Sequence, residues 1–157
     1  MTPPFGEYLI AFEIRFVHTR ASRLGPATPE TCRQLGLVGP AARACGVELD
    51  TRHEFPSGIY RFFHLPLSTW TSGDVFARAY VRWLEIQRSI EFIQDVLAAL
   101  PGGDLAATVG PLAPNSMAVS LVEGWRGEIC HVALTDGHGR FARYKVVDPS
   151  FHNWAGL

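Results

Sequence analysis

Residues 74–100, DVFARAYVRWLEIQRSIEFIQDVLAAL, contain neither glycine nor proline, and PGG follows them at once at 101–103. Apolar side chains recur along this segment every three or four residues, which is the periodicity of one helix face. These positions are Phe76, Tyr80, Trp83, Ile86, Ile90, Ile93, Leu97 and Leu100. Thr71 with Asp74 forms a variant capping box in which Asp replaces the usual Glu or Gln. The segment predicts a helix over about residues 72–100, roughly 40 Å long at ~1.5 Å per residue.

Two short helices are predicted before this long helix. Thr28 is suited to cap a helix whose first residue is Pro29, and Gly36 is suited to end it. Gly39 and the proline after it open a second helical turn, which Gly46 closes. We interpret Gly39 as a plain helix start rather than as a close approach of the backbone to a neighbouring segment.

Two other segments have weaker patterns. Residues 5–18 fit either a helix stripe or a strand with alternating polarity, and the helix is the preferred interpretation. Residues 47–70 carry Pro56, Gly58 and Pro66 among aromatic side chains. This composition predicts an extended, irregular connection.

Near the C-terminus the apolar residues no longer follow the three- or four-residue spacing of a helix and instead lie in short β-rich runs. A proline- and glycine-rich linker over 101–116 precedes three short β-rich runs, which EGWRG at 123–127 and DGHG at 136–139 separate. Turn sequences between alternating runs are typical of hairpins. We therefore predict an antiparallel β-meander over about 117–147, and an α+β fold in which residues 1–157 form a single domain.

Composition excludes several classes of protein. The chain has 157 residues, 47% of them hydrophobic and 18% charged, with a formal net charge of -1. A nucleic-acid-binding protein normally has a basic excess, so no nucleic-acid partner is expected. No stretch approaches the roughly 18 apolar residues of a membrane span. Cys32, Cys45 and Cys130 form no C-x-x-C pair, which favours a reducing, cytoplasmic compartment.

Motifs for catalysis or cofactor binding are absent from the sequence. Six histidines and three cysteines lack the close pairing of zinc ligands. Cys130 and His131 are neighbours on a predicted strand and therefore point to opposite faces. The glycines at 36 and 39 match neither phosphate-binding fingerprint. We expect no metal ligands and no catalytic residue, and no cofactor-binding residue can be assigned.

Two polar clusters stand out. On the long helix, charged residues recur at three- or four-residue spacing, namely Asp74, Arg78, Arg82, Glu85 and Arg88. A solvated face with weak ion pairs is the preferred interpretation, and a buried or inter-subunit network is the alternative. Residues 50–54, DTRHE, form a second dense cluster inside an otherwise aromatic region.

A series of motifs in order along the chain resembles one known family. They are TPE at 28–30, Gly36, GPAARACG at 39–46, Asp50 with Arg52, Pro56 with Tyr60, GDVFAR at 73–78, Arg82 with Glu85 and Ser89, LPG at 100–102, EGWRGE at 123–128, TDG at 135–137, RYK at 143–145 and DPSFHNW at 148–154. Together they resemble the large subunit of energy-converting nickel–iron hydrogenases of the formate hydrogenlyase type. That family is homologous to the D-type subunit of NADH-quinone oxidoreductase (respiratory complex I). The resemblance extends from about Arg20 to Leu157, and its ending favours the hydrogenase-like branch.

The resemblance implies a cofactor set that this chain lacks. Hydrogenase members hold nickel and iron through two C-x-x-C motifs, and complex I members shape a quinone pocket with an N-terminal His/Tyr region; neither has a counterpart here. The chain therefore resembles the later-middle part of such a subunit, and its apolar end fits truncation. No cofactor is expected in this chain. At the level of the complex, the family implies a nickel–iron centre, or a quinone with NAD(P)H as donor.

The implied function is electron transfer in a membrane-associated oxidoreductase complex, of the hydrogenase or NADH-quinone oxidoreductase type. Iron–sulfur and membrane subunits would be the partners, and the complex would lie on the inner face of the cell membrane. The isolated chain is predicted to be redox-inactive. The alternative is a non-catalytic scaffold or assembly protein of such a complex.

The resemblance also gives supporting roles to charged residues. Arg43, Asp50 and Arg52 are expected to fix loops near the core or a partner subunit, although local ion pairing is the simpler interpretation. Asp74, Arg78, Arg82 and Glu85 are expected to organise the long helix. Because that helix has few partners within 157 residues, we expect its apolar stripe to be partly exposed or covered by a second copy in a homo-oligomer.

Overall fold

The computed structural model describes residues 26–104 and 106–156, and the segment at 5–18 lies outside them. Short helices come first, one long helix follows, and a sheet and a final helical turn complete the chain. The helices are α1 (Pro29–Leu35), α2 (Gly39–Arg43), α3 (Thr51–Glu54), α4 (Val75–Ala98) and α5 (Ser150–Asn153); the strands are β1 (Met117–Gly124), β2 (Gly127–Thr135) and β3 (Phe141–Val147); and 3-10 turns cover Gly58–Arg61 and Trp154–Gly156. The predicted α+β fold is confirmed.

Helix α1 has the ends that its sequence predicts. The Thr28 hydroxyl accepts a hydrogen bond from the Thr31 amide at 3.1 Å, and Pro29 occupies the first turn. Gly36 ends the helix in the left-handed conformation, with φ of 66°. Both helix ends are therefore specified locally.

Helix α2 begins at Gly39, but the interpretation of this glycine as a plain helix start is wrong. Gly39 has a φ of 61°, and a Cβ atom at this position would overlap the backbone of Gly127 at the start of β2. The two glycines let α2 and the hairpin approach backbone to backbone. This contact brings Arg43, at the end of α2, close to the β1–β2 hairpin.

The connection over 47–70 contains more regular structure than its sequence predicts. The Asp50 side chain caps α3 by accepting a hydrogen bond from the Arg52 amide at 2.9 Å. A 3-10 turn follows at Gly58–Arg61. Because both elements are only four residues long, their apolar pattern is too short to reveal a period.

Helix α4 begins three residues after the predicted position. Its N-cap is Asp74, which accepts a hydrogen bond from the Ala77 amide at 2.7 Å, so Thr71 is not the cap. Tertiary contacts fix the preceding backbone: the Gly73 amide donates to Ala44 O, and its carbonyl accepts from the Ala27 amide. These contacts hold Gly73 at a φ of 63° and exclude it from the helix.

The three strands form an antiparallel sheet in the order β1-β2-β3. Val119 pairs with Val132 in the first ladder, and Ala133 pairs with Tyr144 in the second. The sheet confirms the predicted meander. Its β1–β2 turn is held by Asn153 of α5, which donates to Arg126 O at 2.8 Å and accepts from the Val38 amide at 2.9 Å.

The buried core is small and lies at the N-terminal end of α4. One cluster joins α1, α2 and the loop after them, through Cys32, Leu37, Ala41, Ala42, Cys45 and Val47. Ala44 packs separately on Ala77 and Val81 of α4. Further along α4, Ile90, Ile93 and Leu97 are exposed. The structure thus shows the apolar stripe partly exposed, as expected.

Candidate functional site

Arg43 is the centre of a buried group of charges where α2, α3, α4 and β1 meet. Its side chain has no exposed surface. One guanidinium nitrogen, Nη1, donates to Leu49 O at 2.7 Å and to Glu123 Oε1 at 2.9 Å, and lies 3.2 Å from Asp50 Oδ2. The other, Nη2, donates to Glu85 Oε1 at 2.5 Å. We call Arg43, Asp50, Arg52, Glu85 and Glu123 the Arg43 network.

Asp50 and Arg52 form the second ion pair of the network. Arg52 Nε donates to Asp50 Oδ1 at 2.8 Å, and Arg52 Nη2 donates to Asp50 Oδ2 at 2.5 Å. This two-point contact is the geometry in which guanidinium and carboxylate groups bind most strongly. Since the Asp50 side chain also caps α3, the start of that helix is tied to the network.

Glu123 links the sheet to the helices. It lies near the end of β1, and its side chain is 4% exposed. Its Oε2 accepts hydrogen bonds from the amide and the hydroxyl of Thr51, both at 3.2 Å, while Oε1 accepts from Arg43. One carboxylate therefore joins β1 to α2 and α3.

The network has three carboxyl groups and two guanidinium groups, so it would carry one negative charge if all were ionised. Burial raises the pKa of Glu85, and this effect exceeds the opposing effect of the Arg43 and Arg52 charges. Asp50 behaves differently. Burial would raise its pKa, but the hydrogen bonds from Arg52 and the charge of Arg43 outweigh burial and hold the pKa below its usual range. Of these two carboxyl groups, Glu85 therefore takes up a proton more readily.

The structure brings together four of the residues that sequence analysis singled out: Arg43, Asp50, Arg52 and Glu85. It favours the buried-network alternative for Glu85, which lies in the Arg43 network rather than in surface ion pairs along α4. Glu123 was not predicted, although it belongs to the EGWRGE motif. The only sequence signal was an isolated acidic residue among apolar ones at the end of a strand.

The remaining predicted residues lie elsewhere on α4. Asp74 caps the helix. Arg78 Nη2 donates to Gly156 O at 3.0 Å, and Arg82 Nη1 donates to Arg78 O at 3.1 Å. Arg82 also lies over the Trp125 ring, with its guanidinium carbon 5.7 Å from the ring centre.

A third arginine, Arg126, follows Trp125 in the turn between β1 and β2. We call Arg78, Arg82 and Arg126 the arginine group.

Two of the three cysteines, Cys32 and Cys45, lie buried in the core and do not fit a nickel–iron centre. Metal-binding cysteines are thiolates, but burial raises the pKa of Cys32 to about 11 and also raises that of Cys45. Both thiols contact backbone carbonyl oxygens in the core, Cys32 near Leu37 O and Cys45 near Ala41 O. Among residues 26–104 and 106–156, no group of three histidine, cysteine or acidic side chains is arranged to hold a metal ion.

A cavity adjoins the Arg43 network. It is lined by Val38, Gly39, Leu49, Asp50, Thr51, Glu54, Glu123 and Glu128, and its volume is about 20 Å³. This volume suits a single water molecule. The hydrogen bonds of the network connect α2 to α4 and to β1, and β1 to α3.

Comparison with known proteins identifies the family. Residues 9–115 match the family described as "Respiratory-chain NADH dehydrogenase, 49 Kd subunit". The chain belongs to this family. The match includes most of the Arg43 network and ends before β1, so Glu123 lies outside the matched residues. The resemblance inferred from the sequence motifs is confirmed.

Relatives in the NADH dehydrogenase 49 Kd subunit family include proteins of several complexes. The carbon monoxide-induced hydrogenase of Rhodospirillum rubrum is 34% identical over 88% of this chain and 38% of its own length. The D-type subunit of NADH-quinone oxidoreductase from Syntrophobacter fumaroxidans is 33% identical over 92% of this chain and 39% of its own length. The D-type subunit of F420H2 dehydrogenase from Methanosarcina mazei is 32% identical over 84% and 37%. The chain thus spans about two fifths of the length of these relatives.

A solved structure supports the fold. A chain of the membrane-bound sulfane sulfur reductase, an archaeal respiratory membrane complex, superposes with a TM-score of 0.77 at 22% identity. The superposition covers 94% of this chain and 44% of that chain. The arrangement of short helices, long helix and meander is therefore that of a part of a larger chain of known structure.

Proposed function

We propose that this chain acts within a membrane-associated oxidoreductase complex of the hydrogenase or NADH-quinone oxidoreductase type, as a structural part of its electron-transfer machinery. The observation that carries the proposal is the family match, which covers helices α1 to α4 and four of the five residues of the Arg43 network. In this proposal the chain supplies framework, and no redox centre of its own.

The Arg43 network supports a framework role. It ties α2, α3, α4 and β1 together through five charged side chains, each of them at most 15% exposed. A buried guanidinium with several carboxylate partners fixes the geometry of the elements that carry them, since each partner lost would leave a buried charge. A rigid base of this kind suits a subunit that must position electron carriers held by others.

Exposed apolar side chains support the presence of partners. Ile90, Ile93 and Leu97 form a row on α4, and Phe62 is 82% exposed. Large exposed apolar areas commonly mark interaction surfaces. We propose that iron–sulfur and membrane subunits of the complex, on the inner face of the cell membrane, supply the covering surfaces. Among the described residues, none of the helices combines the length and the hydropathy that a bilayer-spanning segment needs.

The redox chemistry of the complex is proposed to lie outside this chain. A nickel–iron centre needs thiolate ligands, and the sequence contains no C-x-x-C motif to supply them. NAD(P)H or hydrogen as donor, and a quinone or protons as acceptor, would react at other sites of the complex.

Co-purification from native cells tests the proposal. The chain, tagged at one end, is expected in the membrane fraction together with iron–sulfur subunits, identified by mass spectrometry. An Arg43→Met variant should lose these partners, because the elements that it joins would separate. An Arg143→Met variant, which changes an exposed arginine of β3, is the matched control and should retain them.

Two results would contradict the proposal. A chain that is found free in the soluble fraction, without oxidoreductase subunits, would favour the scaffold or assembly alternative. Stoichiometric nickel, or hydrogen uptake by the purified chain alone, would overturn the statement that it holds no redox centre.

A further inference from the structure

The arginine group has positive charges that no ion pair balances among the described residues. The ion pairs within these residues involve Arg33, Arg43 and Arg52, and none involves a member of the arginine group. Two carboxylates lie in the neighbourhood. Burial lowers the pKa of Arg82 and the charge of Glu85 opposes this effect, but Glu85 already accepts a hydrogen bond from Arg43. Hydrogen bonds from Ser150 and the charge of Arg126 lower the pKa of Asp148, although Asp148 and Arg126 form no ion pair.

Two buried donors in this group also lack a partner. Arg78 Nε and Arg82 Nε are buried and make no hydrogen bond within the described residues. Arg43 Nε is in the same position, but both Nη atoms of Arg43 bind carboxylates. Leaving a buried donor unpaired destabilises a folded protein, and more so when the donor belongs to a charged group. Buried donors of this kind call for a bound acceptor.

The electrostatic environment favours an anion at the same place. Burial lowers the pKa of Arg82, and the neighbouring positive charges of Arg78, Arg126 and Arg43 lower it further, while the opposing charge of Glu85 is outweighed. A bound anion would counteract this repulsion, because it would supply both hydrogen-bond acceptors and negative charge.

Two of the three side chains, those of Arg78 and Arg82, are held in place before any ligand arrives. Arg78 is anchored to Gly156 O, and Arg82 is anchored to Arg78 O and lies over Trp125. Arg126 follows Trp125 in the β1–β2 turn, whose backbone is bound by Asn153. The donors of Arg78 and Arg82 are thus fixed on α4 by the C-terminal segment and by the hairpin, and fixed donors bind a ligand at lower entropic cost.

We propose that Arg78, Arg82 and Arg126 bind an oxyanion, either a phosphate or a carboxylate group. Guanidinium groups present paired N–H donors that match both of these groups. The Trp125 ring lies 5.7 Å from the guanidinium carbon of Arg82 and would hold that side chain at the site.

Thermal unfolding and calorimetric titration of the chain test this proposal. Sodium phosphate and sodium acetate are compared with sodium chloride at equal ionic strength and pH 7, so that general screening cancels. Phosphate or acetate is expected to raise the melting temperature in a saturable manner and to give a measurable dissociation constant. Response to both anions would indicate a site for any oxyanion, and response to one would identify the group that the site takes.

Variants assign the effect to the arginine group. Arg126 is exposed, so Arg126→Gln should fold normally and weaken binding by at least about tenfold, the loss of one charge-assisted contact. Arg82→Gln should abolish binding. Arg143→Gln is the control and should bind as the unchanged chain does. The proposal is overturned if neither anion differs from chloride, or if Arg126→Gln and Arg82→Gln bind as tightly as the control.

Discussion

Helix α4 carries arginine and glutamate side chains into two regions with opposite charge balance. At Glu85 it meets the Arg43 network, in which three carboxylates surround two guanidinium groups. One to two turns earlier, at Arg78 and Arg82, it meets Arg126 and Trp125, and no carboxylate of the described residues forms an ion pair with these arginines. The charges of the first region cancel except for one negative charge. The second region carries three positive charges that no ion pair among the described residues balances.

The contrast separates a structural role from a binding role. Buried charges whose partners belong to the same chain hold elements together, and their replacement should cost stability. Buried donors that lack partners reduce stability in the free chain and are retained where a ligand or another protein uses them. Substitutions in the two regions should therefore have opposite effects on the free energy of unfolding.

The largest effect is expected for Arg43→Met. The substitution removes the positive charge that Asp50, Glu85 and Glu123 share, and leaves these carboxylates buried without it. Loss of one partner of a buried ion pair typically costs about 3–5 kcal/mol. Urea denaturation, monitored by circular dichroism, should show this decrease in the free energy of unfolding.

Arg143→Met provides the control for that experiment. Arg143 is exposed on β3, and its replacement should change stability by less than about 0.5 kcal/mol. A decrease of under about 1 kcal/mol for Arg43→Met, well below the range for a buried ion pair, would contradict the structural role of the Arg43 network.

A smaller effect, with a defined sign, is expected from the pH dependence of Glu85→Gln. Burial raises the pKa of Glu85 in the folded chain above the usual 4.5, so the protonated side chain stabilises the fold. This contribution is complete below pH 4.5 and is lost as the pH rises through the pKa of Glu85 in the folded chain. The unchanged chain should lose stability relative to Glu85→Gln as pH increases from 4.5. Unfolding curves from about pH 4 to about pH 7, which span this titration, measure the difference. If the unchanged chain instead gained stability relative to Glu85→Gln as the pH increased, the pKa of Glu85 would be lowered in the folded chain.

The smallest effect, and one of opposite sign, is expected for Arg82→Met. Methionine retains much of the packing on Trp125 and removes the buried Nε donor that lacks a partner, together with the Nη1 hydrogen bond to Arg78 O. The free energy of unfolding should stay the same or increase by up to about 1 kcal/mol, since no ion pair is lost. The same urea series measures it. A decrease comparable to that of Arg43→Met would show that the two regions do not differ as described.

Elements that depend on local signals were predictable from the sequence. Thr28, Pro29 and Gly36 specify both ends of α1. Three β-rich runs, separated by the turn sequences at 123–127 and 136–139, specify the meander. The start of α4 was misplaced because the contacts of Gly73 with Ala27 and Ala44 are tertiary. Residues close in sequence cannot show such contacts.

The candidate site was predictable only in part, for the same reason. Arg43, Asp50, Arg52 and Glu85 were singled out, but their assembly was not, because Arg43 and Glu85 are separated by 42 positions. Glu123 lies 80 positions from Arg43, and an isolated acidic residue at the end of a strand does not show which residue it contacts. The close approach of the α2 glycine to the start of β2, which brings these residues together, is likewise a long-range contact.

The most direct test of the Arg43 network as the link between helices and sheet is a double-mutant cycle on Arg43→Met and Glu123→Gln. Urea unfolding of the unchanged chain, the two single variants and the double variant gives the coupling free energy. We expect a coupling of about 1–3 kcal/mol, the range found for residues in one buried network. Additive single effects, within about 0.3 kcal/mol, would contradict this role and show that Glu123 and Arg43 do not hold the sheet to the helices.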